Sequence, residues 1–276
     1  MDASELLRQG KLNEALQALQ NQIRSDPSNA KLRVFLFQLL CVMGQWDRAL
    51  TQLNTAAGID PKSLLMKEVC QQLVQCEALR KEIFAGKKMP LVFGQPQEWV
   101  GWMIKANQQS AQGNYREAQE LRERALEAAP AIAGHINATE FEWVADADPR
   151  LGPILEAIIE GRYFWIPLAN INQIKIDKPV DLRDVVWAPA NFVWSNGGTA
   201  VGFIPARYAG SDDVSDDAVR LGRKTDWIEQ GGGFAVPVGQ RLFATNEAEY
   251  PMLEVRALTM GAPIVPKTDR EGAVHG

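Results

Sequence analysis

Side chains able to do metal, acid–base or nucleophilic chemistry are sparse in this chain, and their spacing assembles no site. Histidine occurs only at His135 and His275. A zinc centre or a Ser-His-Asp relay would have to use His135 alone, and neither an HExxH nor a G-x-S-x-G word is present. His135 is expected at the surface or at a cap. Gly222-Arg223-Lys224-Thr225 looks like the end of a phosphate loop, but Asp217 stands where the first glycine is needed and Arg223 where the lysine belongs. Gly231-Gly232-Gly233 precedes no helical pattern, so it reads as a loop and not a dinucleotide turn.

Acidic residues offer two more candidates. Asp146-Ala147-Asp148-Pro149 could hold Mg²⁺, or its carboxylates could cap a helix starting near Leu151; the cap is the preferred reading. Asp212, Asp213, Asp216 and Asp217 lack the alternation of a calcium loop and read as a solvated turn. A metal-dependent enzyme built from Asp146, Asp148, Arg183 and Asp184 therefore stays as a rival. The leading expectation is a protein with no catalytic residue, no cofactor and no metal.

Composition narrows the class. A net charge of −5 argues against a nucleic-acid partner, which needs a concentrated basic surface. The apolar run Val34 to Met43 is broken by Gln38 and is too short to span a bilayer, so no membrane partner is expected. Met1-Asp2-Ala3-Ser4-Glu5 lacks the basic start of a secretion signal. Cys41, Cys70 and Cys76 form no CxxC and are expected as reduced, packed thiols of a cytoplasmic protein.

The elements that would position any site begin with a repeat. Gly10-Lys11-Leu12-Asn13-Glu14-Ala15-Leu16 is echoed by Gly44-Gln45-Trp46-Asp47-Arg48-Ala49-Leu50, and Asp26-Pro27 by Asp60-Pro61, each 34 residues on. That period is the tetratricopeptide repeat, two antiparallel helices per unit. Gly113-Asn114-Tyr115-Arg116-Glu117-Ala118 with Pro130 is a third copy, although it falls 69 residues after Gly44, one more than two periods. Residues 1–130 are thus expected to be a tetratricopeptide-like helical domain. Beyond Pro130, tryptophan, proline and glycine punctuate short β-branched runs. A short helix is expected from Leu151 to Gly161. Strands are expected at Tyr163–Pro167, Ile171–Ile176, Asn191–Trp194, Ala200–Ile204, Gly233–Val238, Arg241–Thr245 and Leu253–Leu258. The fold class is α+β, with residues 131–260 forming a mainly β domain, a small barrel or sandwich, and 261–276 a poorly ordered tail.

Stacked helix pairs curve, and the first helix of each lines the concave face. The groove candidates are Lys31, Val34, Gln38 and Cys41 in one unit, and Val100, Met103, Asn107 and Ser110 in the last. This mixed lining suits an amphipathic helix or extended peptide, unless an added helix or the chain's own second domain fills the groove.

The second half also carries specific words. Asp146-Ala147-Asp148-Pro149-Arg150-Leu151-Gly152-Pro153 is followed by Gly161-Arg162-Tyr163-Phe164-Trp165-Ile166-Pro167 and Leu182-Arg183-Asp184-Val185-Val186-Trp187. Ile204-Pro205-Ala206-Arg207-Tyr208, Leu221-Gly222-Arg223-Lys224-Thr225-Asp226-Trp227 and Gly239-Gln240-Arg241 complete the series. In this order, behind helical repeats, they closely resemble the ImpE/TagJ family of type VI secretion accessory proteins. The resemblance implies a cytoplasmic bacterial protein that is not an enzyme. It implies binding to a helix near the N-terminus of the small contractile-sheath subunit, and a link to the sheath-disassembling AAA+ ATPase. A scaffold holding those two partners on separate domains is the variant reading. Arg183, Asp184 and Trp187 are expected in a buried structural network, with a partner-facing patch as the alternative.

Overall fold

A computed structural model of the chain describes residues 2–95 and 97–263. Helices come first: α1 (Ala3–Arg8), α2 (Leu12–Ser25), α3 (Ala30–Val42), α4 (Trp46–Ile59) and α5 (Leu64–Phe84). After strand β1 (Leu91–Val92) follow α6 (Glu98–Ala111) and α7 (Tyr115–Ala128). The repeated words sit at the turns inside the pairs α1/α2, α3/α4 and α6/α7. Gly10, Gly44 and Gly113 each adopt positive φ (77°, 68° and 81°), the left-handed helix ending that glycine tolerates best. The following amide closes each turn on a carbonyl five residues back, as from Gln45 N–H to Leu40 O (2.9 Å) and from Asn114 N–H to Gln109 O (2.9 Å). Ala15, Ala49 and Ala118 are fully buried where the paired helices meet. The period slips before the third copy because α5 runs for 21 residues and is followed by β1.

Strands then dominate: β2 (Ile132–Ile136), β3 (Thr139–Phe141), β4 (Val144–Asp146), β5 (Ile154–Ile159), β6 (Arg162–Pro167), β7 (Ile171–Ile176), β8 (Trp187–Trp194) and β9 (Thr199–Pro205). The short helix α8 (Asp217–Arg220) precedes β10 (Thr225–Gly231), β11 (Phe234–Gly239), β12 (Leu242–Thr245), β13 (Glu249–Pro251) and β14 (Ala257–Pro263). One sheet has the order β1-β6-β5-β9-β8-β7-β14-β2-β3, and its ends do not join, so no barrel closes. Strands β13-β12-β4 form a second sheet and β10-β11 a hairpin.

Three expectations need correction. Leu151–Gly161 is not a helix; its central residues are β5. Ile154 and Ile158 face the core shared with the helices, while Leu155, Ala157 and Ile159 face a second core. A strand buried on both sides loses the alternation that marks strands in sequence. Leu253–Leu258 is not one strand, because a 3₁₀ turn at Met252–Glu254 precedes β14. Gly261–Pro263, expected in the tail, belong to β14; residues 264–276 lie outside the described residues. The first apolar core joins Phe37, Leu40 and Leu73 of the helices to Tyr163, Trp165 and Trp187 of the sheet without interruption.

Candidate functional site

The predicted concave face is largely occupied by the chain itself. Gln38, Cys41, Val100, Met103 and Asn107 are buried, Val34 and Ser110 are half-buried, and Lys31 is exposed. The Gln38 side-chain oxygen accepts from Leu182 N–H (3.2 Å), where a 3₁₀ turn at Leu182–Val185 packs on α3. The backbone of α3 is bound too, since Arg207 donates to Val42 O (2.8 Å). On α6, Asn107 donates to Ile83 O at the end of α5 (2.7 Å), and Ser110 accepts from Arg122 of α7 (2.9 Å). These polar side chains bind neighbouring elements of the same chain.

The acidic pair has a different fate from the expected cap. Asp148 takes Arg150 in a bidentate ion pair (2.6 Å at the shortest contact). Asp146 accepts Asp148 N–H (2.8 Å) and pairs with the fully buried Arg241. Arg241 also pairs with Glu156 of β5, and Glu156 is bound on its other side by Arg80 of α5 (2.9 Å) and by the Tyr163 hydroxyl. Arg80 then donates to Arg207 O (2.8 Å) and meets Glu77 (3.4 Å), which accepts from the Trp187 indole (2.9 Å). An ionic chain thus runs from the long helix through the sheet, with every carboxylate in it matched to a cation. Its partners lie 76 and 85 residues apart, so no sequence spacing announces them.

Burial raises the pKa of Glu156, but Arg80, Arg241 and the Tyr163 hydroxyl more than offset this and hold it at about 2. Asp146 has Arg241 as its counter-charge and Asp148 as a repulsive neighbour; burial, the largest effect, pushes it up to about 7. Arg183 meets Asp184 (3.6 Å) and Cys70 Sγ (3.6 Å), while Asp184 accepts the Val180 and Asp181 amides (2.9 Å each). Cys41, Cys70 and Cys76 are free and buried, and burial raises all three thiols, Cys76 to about 11. Such thiols are poor nucleophiles. His135 stands on β2 with its side chain half out in solvent, 3.4 Å from Glu140. Among the described residues, no three His, Cys, Asp or Glu side chains are grouped to hold a metal ion, and no helix is long and apolar enough to cross a membrane.

The ImpE protein family model matches residues 138–259, and a tetratricopeptide repeat model matches residues 6–73. Over 258 residues the chain is 50% identical to the type VI secretion system accessory component TagJ of Pseudomonas aeruginosa, covering 94% of this chain and 90% of that protein. The chain belongs to the ImpE/TagJ family. The crystal structure of protein VPA1032 from Vibrio parahaemolyticus has the same fold, with a TM-score of 0.85 at 28% identity, covering 95% of this chain and 98% of that one. Within this family member, Asp146, Glu156 and Arg241 fall in the ImpE segment, whereas Arg80 lies between the two matched segments. The ionic chain links them alongside the shared apolar core.

Proposed function

We propose that this chain is a non-enzymatic adaptor of the type VI secretion apparatus. It holds an amphipathic helix at the N-terminus of the small contractile-sheath subunit and so influences sheath assembly or its disassembly by the AAA+ ATPase, in the cytoplasm. The observation that carries this reading is the 50% identity, along nearly the whole chain, to a protein named as an accessory component of that system. The tetratricopeptide match supports it, since stacked helix pairs commonly serve protein–protein contact. The charged residues in its interior are committed to one another, which fits a structural role.

A calorimetric titration with a synthetic peptide of that helix tests the proposal. Saturable binding at micromolar affinity or better, about −8 kcal/mol, is expected. A peptide shown to be soluble and helical that gives no heat of binding would sink it. Of the predicted inner face only Lys31 is exposed, with Val34 and Ser110 half-buried, so most of that face is closed to such a partner.

A further inference from the structure

Other elements of the chain close most of the predicted inner face of the repeats, but a helix–sheet junction stays open. A groove of about 420 Å³ runs between the end of α7 and the sheet β13-β12-β4. Leu126 and Trp143 line it and are 51% and 40% exposed, and Pro130 and Pro149 extend its apolar surface. Its walls are preformed. Gly152, at φ 55°, comes so close to Leu126 that a Cβ there would lie 3.1 Å from the leucine methyl. Val144, next to Trp143, is held in register with Thr245 of β12. Aromatic and aliphatic anchors on a rigid frame are what concentrates binding energy at an interface.

Charge then specifies the occupant. The charged residues lining the groove are the carboxylates Asp146 and Glu249. Asp146 is committed to Arg241, but Glu249 is exposed and has no ion pair among the described residues. Exposed Glu127 and Glu142 adjoin Leu126 and Trp143 in the chain. We propose that this groove docks an amphipathic partner helix whose apolar face is flanked by lysine or arginine. The inference rests on the adaptor reading above and names the surface that serves it.

The test uses the full chain and two fluorescently labelled peptides read by anisotropy: the sheath-subunit helix and a short amphipathic helix of leucine and lysine. Binding of both is expected, with Leu126→Asp weakening it about tenfold, as loss of a buried anchor does. Glu249→Lys should weaken it less and flatten its salt dependence, while Val34→Glu leaves it unchanged. If only the leucine–lysine peptide binds, and does so through Leu126, the groove stands and the sheath partner falls. Wild-type affinity in both Leu126→Asp and Trp143→Ala, with unaltered melting, would overturn the groove. So would failure of both peptides to bind the wild-type chain. The chain leaves β14 at Pro263, opposite Ile132 and beside the groove residue Ala131. A form ending at Pro263 that binds about tenfold tighter would make residues 264–276 the occupant and overturn the proposal as well.

Discussion

Two junctions between helices and sheet divide the work of this molecule. Where α5 meets β5, the buried side chains Arg80, Glu156, Arg241 and Asp146 satisfy one another. Where α7 meets the small sheet the contact is open and apolar, with Glu249 its one exposed lining carboxylate. The first junction has no unmatched carboxylate to offer a ligand. The second leaves Leu126 and Trp143 without full cover. Together they separate the residues that fix the architecture from those free to meet a partner.

The sharpest way to break the comparison is at Glu156. Glu156→Gln removes the carboxylate shared by two buried guanidinium groups, leaving Arg241 with Asp146 and Arg80 with Glu77, and should cost about 3–5 kcal/mol, measured by chemical denaturation. A loss below about 1 kcal/mol, the range of exposed ion pairs, would mean that the buried junction holds little together.

Next in size is the turn glycine that the sheet-side loop covers. Gly44→Ala meets both its positive φ and the Asp212 side chain packed against it, whereas Gly113 at the equivalent turn has open space. Gly44→Ala should cost about 1–3 kcal/mol and Gly113→Ala clearly less. Equal losses on melting would show that the covering loop adds nothing.

A third effect appears with pH. Asp146 has its folded pKa raised to about 7, so its contribution is full below its ordinary value near 3.8 and is lost as pH rises through 7. Glu156, held at about 2, contributes above its ordinary 4.5 and loses that contribution as pH falls towards 2. Stability from these two groups should therefore decline on both sides of mildly acidic pH. Asp146→Asn should flatten the slope between pH 4 and 7, and an unchanged slope would place the titrating group elsewhere. The smallest effect belongs to the open junction, where Leu126→Asp should shift stability by no more than about 0.5 kcal/mol. A large loss there would mean that Leu126 is part of the fold's support.

The repeats were legible because a turn between packed helices demands particular residues: Gly10, Gly44 and Gly113 for positive φ, and Ala15, Ala49 and Ala118 for close approach. The strands expected at Asn191–Trp194 and Ala200–Ile204 pair as β8 and β9, and the turn between them uses Gly197 at positive φ. β5 was not, because burial on both faces erases the period that separates strand from helix. The ionic chain was not, because Arg80, Glu156 and Arg241 obey no local rule. Asp146 and Asp148 drew attention as a pair, but only Asp148 finds its cation nearby, in Arg150, while that of Asp146 is the distant Arg241. The open groove left one faint mark: Leu126 interrupts the otherwise polar outer side of α7. Trp143 becomes its neighbour only in three dimensions.

Hydrogen–deuterium exchange on the intact chain, alone and saturated with the helical sheath peptide, tests the central claim most directly. Slowed exchange around Leu126 and Trp143 is expected, with the inner amides of α3 already protected and unchanged. New protection confined to residues 30–43, with none near Leu126 and Trp143, would contradict it.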